Sequence, residues 1–208
     1  MLRGSVMLHK RVLRTMTTKN RKAGKITPDY LRNATYRYLE RYASSEDNLR
    51  RVLRQKIKRR LMAADQAADL TAEHEGWIED VVQHCRKHAL IDDELYALSR
   101  ARSFLRTGNS RAKIIQKLLA KGISRDLIDR VLAELVDEMG DSELFAAASY
   151  VRRRRFGSFS TRAADDARRQ KEMASLARAG FSFDLSRRVL DSDRDELEDI
   201  LYGMTAQQ

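Results

Sequence analysis

Gly122–Leu132 reads GISRDLIDRVL, and Gly180–Leu190 reads GFSFDLSRRVL, the same pattern 58 residues further on. In both copies a glycine follows one apolar stripe, and a serine stands two residues later, directly before the next. Glycine tolerates the left-handed turn that ends a helix, and a serine hydroxyl accepts hydrogen bonds from the free amides that begin one. Each copy therefore predicts a helix-turn-helix joint, repeated within one chain. Upstream, Asp92-Asp93-Glu94-Leu95-Tyr96-Ala97 pairs with Asp141-Ser142-Glu143-Leu144-Phe145-Ala146 at an offset of 49 residues, so the later unit carries a nine-residue insertion.

On either side of these joints, apolar residues recur at helical spacing and form about nine stripes in three groups of three. The first group holds Leu31, Ala34, Tyr38 and Leu39, then Leu49 to Leu61, then Trp77 to Cys85. The second holds Leu95 to Leu105, Ile114 to Leu119 and Leu127 to Leu135. The third holds Leu144 to Val151, a weak alanine-rich segment from Ala163 to Leu176, and Leu185 to Leu190. Pro28 is the only proline in 208 residues, and just nine glycines interrupt the chain, so little breaks a helix after that point. Thr27-Pro28 with Asp29 predicts a capped helix start. The expected fold is all-α, with three tandem three-helix repeats in an elongated curved array. Its expected divisions are a basic, disordered arm at 1–25, repeats at 26–91 (with an insertion near 62–75), 92–140 and 141–191, and a C-terminal tail at 192–208.

Net charge is +11, and the first 25 residues contribute eight positive charges with no acidic residue, so the body is nearly neutral. Such a surplus points to a polyanionic partner. In the stripe from Leu49 to Leu61, Arg50, Arg54 and Lys58 align at i, i+4, i+8 opposite the apolar face, with Arg51 and Arg59 beside them, a row that can track phosphates. Arg152, Arg153, Arg154 and Arg155 crowd one helix end. Part of that run serves the helix dipole, and the remainder is available to a partner. Arg168, Arg169 and Lys171 extend the basic character of the third repeat, offset by Asp165 and Asp166. Asp65, Asp69, Glu73, Glu75, Glu79 and Asp80 fall in a stretch without lysine or arginine, which reads as a solubilising loop or as an acidic face set apart from the basic one.

Cys85 is the single cysteine, so no internal disulfide can form and a reducing cytoplasm is expected. It falls on an apolar stripe and reads as core. His84 and His88 lie at i, i+4 without further ligands to complete a metal site. Trp77 begins an apolar stripe and reads as buried rather than as a stacking platform. No phosphate loop or catalytic triad can be assembled, paired carboxylates sit at helix starts where capping explains them, no apolar run spans a bilayer, and the N-terminus lacks a secretory signal. The expectation is a non-enzymatic monomer with no cofactor and no metal.

LIDDELYA at Leu90–Ala97, LLAKGI at Leu118–Ile123 and LARAGFSF at Leu176–Phe183, followed by Arg188-Val189-Leu190, resemble the RecX family in order and spacing. The resemblance runs from about Ile26 to Leu190. It implies a modulator, usually an inhibitor, of the bacterial RecA recombinase in DNA repair and the SOS response. The implied partner is the RecA filament on single-stranded DNA, whose ATPase and strand exchange would slow. Two other classes stay open on the residues alone: a nonspecific nucleic-acid-binding protein and a helical adaptor for another protein.

Overall fold

Helix-capping chemistry recurs from Thr27 to Ser182 and sets the architecture. The computed structural model describes residues 25–64, 69–162 and 165–203. These residues form ten α-helices and no strand: α1 (Pro28–Leu39), α2 (Glu46–Ala63), α3 (Ala72–Lys87), α4 (Asp93–Arg106), α5 (Arg111–Leu119), α6 (Arg125–Met139), α7 (Ser142–Arg154), α8 (Asp166–Ala179), α9 (Phe183–Asp191) and α10 (Arg194–Gly203). Residues 1–24 of the expected arm, and Asp65, lie outside the described residues.

Helices α1 to α9 begin at Thr27, Ser45, Thr71, Asp92, Ser110, Ser124, Asp141, Asp165 and Ser182, each of whose side chains accepts a first-turn amide hydrogen bond. The predicted glycine joints are present. Gly122 and Gly180 stand at φ 79° and 92°. The following amides, of Ile123 and Phe181, reach back to the carbonyls of Leu118 and Leu176, closing the same six-residue C-terminal loop twice. Ile123 and Phe181 are thereby turned into the core, where both are buried.

Two apolar cores result. Leu31, Leu49, Leu53, Ile57, Ile78, Val82, Cys85 and their neighbours fill the first, between α1, α2 and α3. Helices α4 to α10 share the second, in which Ala97, Ala101 and Leu105 meet Leu132, Ala147, Val151, Val189 and Leu197. The second and third units are thus fused across one interior, because the small residues Ala146, Ala147 and Ala148 let α7 pack closely against α4 on one side and α9 on the other. The segment from 192, expected to be a tail, contains α10, whose Leu197 and Leu201 are buried against α7. Its amide at Glu196 bonds to Asp193, and Arg194 pairs with Glu198 one turn on.

The units are joined by one polar device used twice. Ser45, at the start of α2, donates its hydroxyl to the carbonyl of Lys121, 2.5 Å away just past α5. Ser110, at the start of α5, donates to the carbonyl of Ala179 at the end of α8, 2.6 Å away. The second helix of each unit therefore begins against the end of the second helix of the next. Asp93 adds a carboxylate that accepts the amide of Glu46 at 2.8 Å, and Arg51 donates to the carbonyl of Ala120 at 2.8 Å.

The segment near 62–75, expected as an insertion, is divided: Met62 and Ala63 complete α2, and Ala72 to Glu75 form the first turn of α3. The expected separation of acidic and basic faces is not what α3 produces. It lies along α2 and places Glu75 against Arg54 (2.8 Å) and Glu79 against Arg50 (2.7 Å). Charges that look segregated along the chain are interleaved in space. Hydrogen bonding to those guanidinium groups holds both carboxyls below the ordinary glutamate range. A carboxyl depressed in the folded state stabilises above its unfolded value, and that contribution disappears as pH falls through the folded value. The stability difference between wild type and Arg50→Gln/Arg54→Gln, no more than about 1 kcal/mol for such half-exposed pairs, should therefore shrink towards zero on acidification. Urea titrations at neutral and acidic pH measure it, and a pH-independent difference would contradict this account.

Candidate nucleic-acid interface

The third unit differs from the second in the connection between its first two helices. From Arg106 the chain passes quickly to α5 at Arg111, whereas from Arg154 it makes a single 3₁₀ turn at Gly157–Phe159 and a loop before α8 begins at Asp166. Helix α7 ends with Arg155 in the left-handed conformation (φ 56°), where a glycine is the usual occupant, and the amide of Phe156 closes on the carbonyl of Val151 at 2.9 Å. The inserted loop then folds back over α8.

Glu172, buried inside α8, fixes that loop. One carboxylate oxygen accepts the Nε of Arg168 at 2.8 Å, and the other accepts the amide of Gly157 at 3.1 Å. Arg168 in turn donates to the carbonyl of Arg162 at 2.7 Å. Tyr150 closes the other side, its hydroxyl 2.9 Å from the Oγ of Ser175 and its ring edge-on to Phe156 and Phe181.

Between the folded-back loop and α8 lies an open cleft of about 670 Å³. Arg154, Arg155, Arg162, Arg168, Lys171 and Arg178 line it, with Glu172 as the sole carboxylate. Glu172 is committed to Arg168. Among the described residues, the other five cations have no ion-pair partner. Arg154 rests 5.5 Å over the ring of Phe156, which steadies the guanidinium without neutralising it. Arg168, Lys171, Ser175 and Arg178 fall at helical spacing, so they share one face of α8.

Of the basic residues singled out from the sequence, Arg154, Arg155, Arg168 and Lys171 converge on this cleft. Arg152 and Arg153 are exposed on the last turn of α7, with Arg153 5.6 Å over Tyr150, and neither lines the cleft. Arg169 points away and pairs with Asp191. In the first unit, Arg50 and Arg54 are taken up by α3, Arg51 pairs with Asp47 at 3.2 Å, and Lys58 and Arg59 are exposed. Arg162 and Arg178 were missed. Arg178 could have been found by extending the basic face of α8 from Lys171 by two turns. Arg162 reaches the cleft only because the loop folds back, which no local pattern encodes.

Cys85 is fully buried, as expected, and burial pushes its thiol above the ordinary range. Trp77 is half-buried against the first core, edge-on to His74. The rings of His84 and His88 lie 4.4 Å apart, with His84 Nε2 3.2 Å from the Tyr36 hydroxyl. Among the described residues, no group of three or more His, Cys, Asp or Glu side chains is placed to hold a metal ion, and no helix is long and apolar enough to cross a membrane.

Comparison with known proteins bears on the same regions. Residues 92–132 match the model described as "RecX, second three-helix domain", and residues 141–190 match "RecX, third three-helix domain". The regulatory protein RecX of Myxococcus xanthus (strain DK1622) is 34% identical over 170 residues, covering 81% of this chain and 88% of that protein. The regulatory protein RecX of Agrobacterium fabrum is 37% identical over 111 residues, 53% of this chain and 57% of that one. Two crystal structures share the fold. One, of a regulatory protein RecX, has TM-score 0.52 at 23% identity and covers 79% of this chain and 72% of its own. The other, of RecX from Lactobacillus salivarius, has TM-score 0.51 at 20% identity, covering 82% and 96%. With its tandem three-helix units and a relative this similar over most of its length, the chain belongs to the RecX family of regulatory proteins.

Proposed function

We propose that this protein regulates a bacterial RecA recombinase by binding the RecA filament on single-stranded DNA, and that it inhibits the filament's ATPase and strand exchange. The observation that carries the reading is the third-unit cleft, in which five cations without carboxylate partners face one open space. Family membership supplies the recombinase; the cleft supplies the chemistry for phosphate. Arg154, Arg155, Lys171 and Arg178, together with Arg162, meet the DNA backbone, and Arg168 holds the cleft wall in place. Arg152 and Arg153 extend the contact along α7. Arg51 and Lys58 offer a smaller contact on the first unit, while Arg50 and Arg54 serve chiefly to hold α3. The protein acts as a monomer in the cytoplasm, by occupying a surface that the filament needs and without chemistry of its own.

The test adds purified protein to the cognate recombinase on single-stranded DNA and follows ATP hydrolysis and strand exchange. Both should slow in proportion to added protein, and unchanged rates would refute the proposal. The net charge of +11 favours a second reading, nonspecific nucleic-acid binding without a protein partner. Salt separates the two. Pure phosphate binding falls by about 0.7 log units per contact for each tenfold rise in salt and needs no recombinase, whereas a regulator prefers coated over bare DNA. Lys171→Ala/Arg178→Ala should flatten the salt slope by about 1–2 while leaving the melting temperature unchanged. An unaltered slope would remove the cleft from the interface.

A further inference from the structure

Tyr36-Arg37-Tyr38 and Arg41-Tyr42 alternate aromatic rings with guanidinium groups over the last turn of α1 and the residues after it. Tyr38 packs one side against the first core, whereas Arg37, Arg41 and Tyr42 belong neither to that core nor to the third-unit cleft. Tyr30, Arg37, Tyr38, Arg41, Tyr42 and Lys56 line an open cavity of about 380 Å³ on the first unit, and no carboxylate lines it. Tyr38 is held from behind, its hydroxyl accepting the side-chain amide of Asn48 at 3.0 Å. Tyr42 lies beside it with ring centroids 5.3 Å apart, and Tyr42 is 58% exposed. An anchored ring next to an exposed one leaves an aromatic face open to solvent. Arg37 is tied back to the carbonyl of Asn33 at 3.1 Å, which directs its guanidinium along the helix. Arg41 and the half-buried Lys56 have no ion-pair partner among the described residues.

Open aromatic faces flanked by cations suit single-stranded nucleic acid, since every base has a face to stack and every nucleotide a phosphate to pair. A duplex buries its base faces in its own stack, so this combination is of little use to it. We infer that this cavity is a base-stacking site for single-stranded nucleic acid, in which a base lies against Tyr42 and the adjoining phosphates meet Arg41 and Lys56. The inference rests on the nucleic-acid reading proposed above and adds a contact on the first unit, on a core separate from that of the cleft.

The full-length protein is titrated, without recombinase, against three fluorescent probes: oligothymidine, a duplex, and an abasic deoxyribose-phosphate strand of equal length. Wild type should prefer oligothymidine to the abasic strand. Tyr42→Ala should weaken oligothymidine binding about tenfold and leave the abasic strand and the duplex unaffected, while Tyr42→Phe, which keeps the ring, should bind as wild type. Equal binding of oligothymidine and abasic strand by wild type, an unchanged Tyr42→Ala, or an equal loss on all three probes would each overturn the inference. Because recombinase is absent, the two proposals fail separately: slowed strand exchange with no stacking signal sinks only this one, and a stacking signal with unaffected recombinase sinks only the other.

Discussion

Glu172→Ala is expected to destabilise the protein by about 2–3 kcal/mol, lowering the melting temperature by roughly 4–12 °C for a chain of this size. The side chain is almost fully buried and satisfies two donors at once, the Arg168 guanidinium and the Gly157 amide. Truncation leaves a half-buried cation short of its countercharge and an amide without its acceptor. Such orphaned groups cost far more than the net gain of the bonds they made. Because the same carboxylate ties the inserted loop to α8, affinity for single-stranded DNA should fall along with stability. Glu172→Gln can still accept the Gly157 amide and should lie between the two. Thermal unfolding and an oligonucleotide titration of both variants check this, and a Glu172→Ala protein that melts and binds like wild type would refute it.

Gly180→Ala and Gly122→Ala should each cost about 2–4 kcal/mol, through backbone strain combined with a clash at a joint. A β-carbon at Gly180 would stand 2.7 Å from the Oγ of Ser110, the hydroxyl that bonds to Ala179. At Gly122 it would stand 2.2 Å from the β-carbon of Asp47, in the first turn of α2. Both positions also have a positive φ that disfavours any side chain. Gly76 is the internal control. It sits within α3 with nothing near the added atom, so Gly76→Ala should stabilise by about 0.5–1 kcal/mol. Denaturant titrations of the three variants give the comparison, and equal stabilities would mean that the joints do not hold the units together.

These joints were also the most legible part of the sequence. Gly122-Ile-Ser and Gly180-Phe-Ser declare themselves because capping is chemistry between residues a few positions apart. The same locality explains why Thr27-Pro28 marked the start of α1. Helix α10 was open to the same reasoning, through Asp193, the Arg194–Glu198 spacing and the Leu197–Leu201 pair, but a short acidic segment at the end of a chain resembles a tail. The Arg50–Glu79 and Arg54–Glu75 pairs belong to another class. They depend on how α3 lies against α2, a relation between residues 29 and 21 positions apart. The cleft was half legible for the same reason: α8 presents its own cations at helical spacing, whereas Arg162 arrives by way of a loop.

A repeat array has no intrinsic stopping point, since the face one unit offers its predecessor is copied, and offered again, at the far end. In this protein α10 packs against α7 and buries Leu197 and Leu201 in the shared core. Its outward surface carries Asp195, Glu196 and Asp199, so an apolar flank is exchanged for an acidic one. A single helix thus does for one flank of α7 what the second unit does for the other: it keeps apolar side chains out of water.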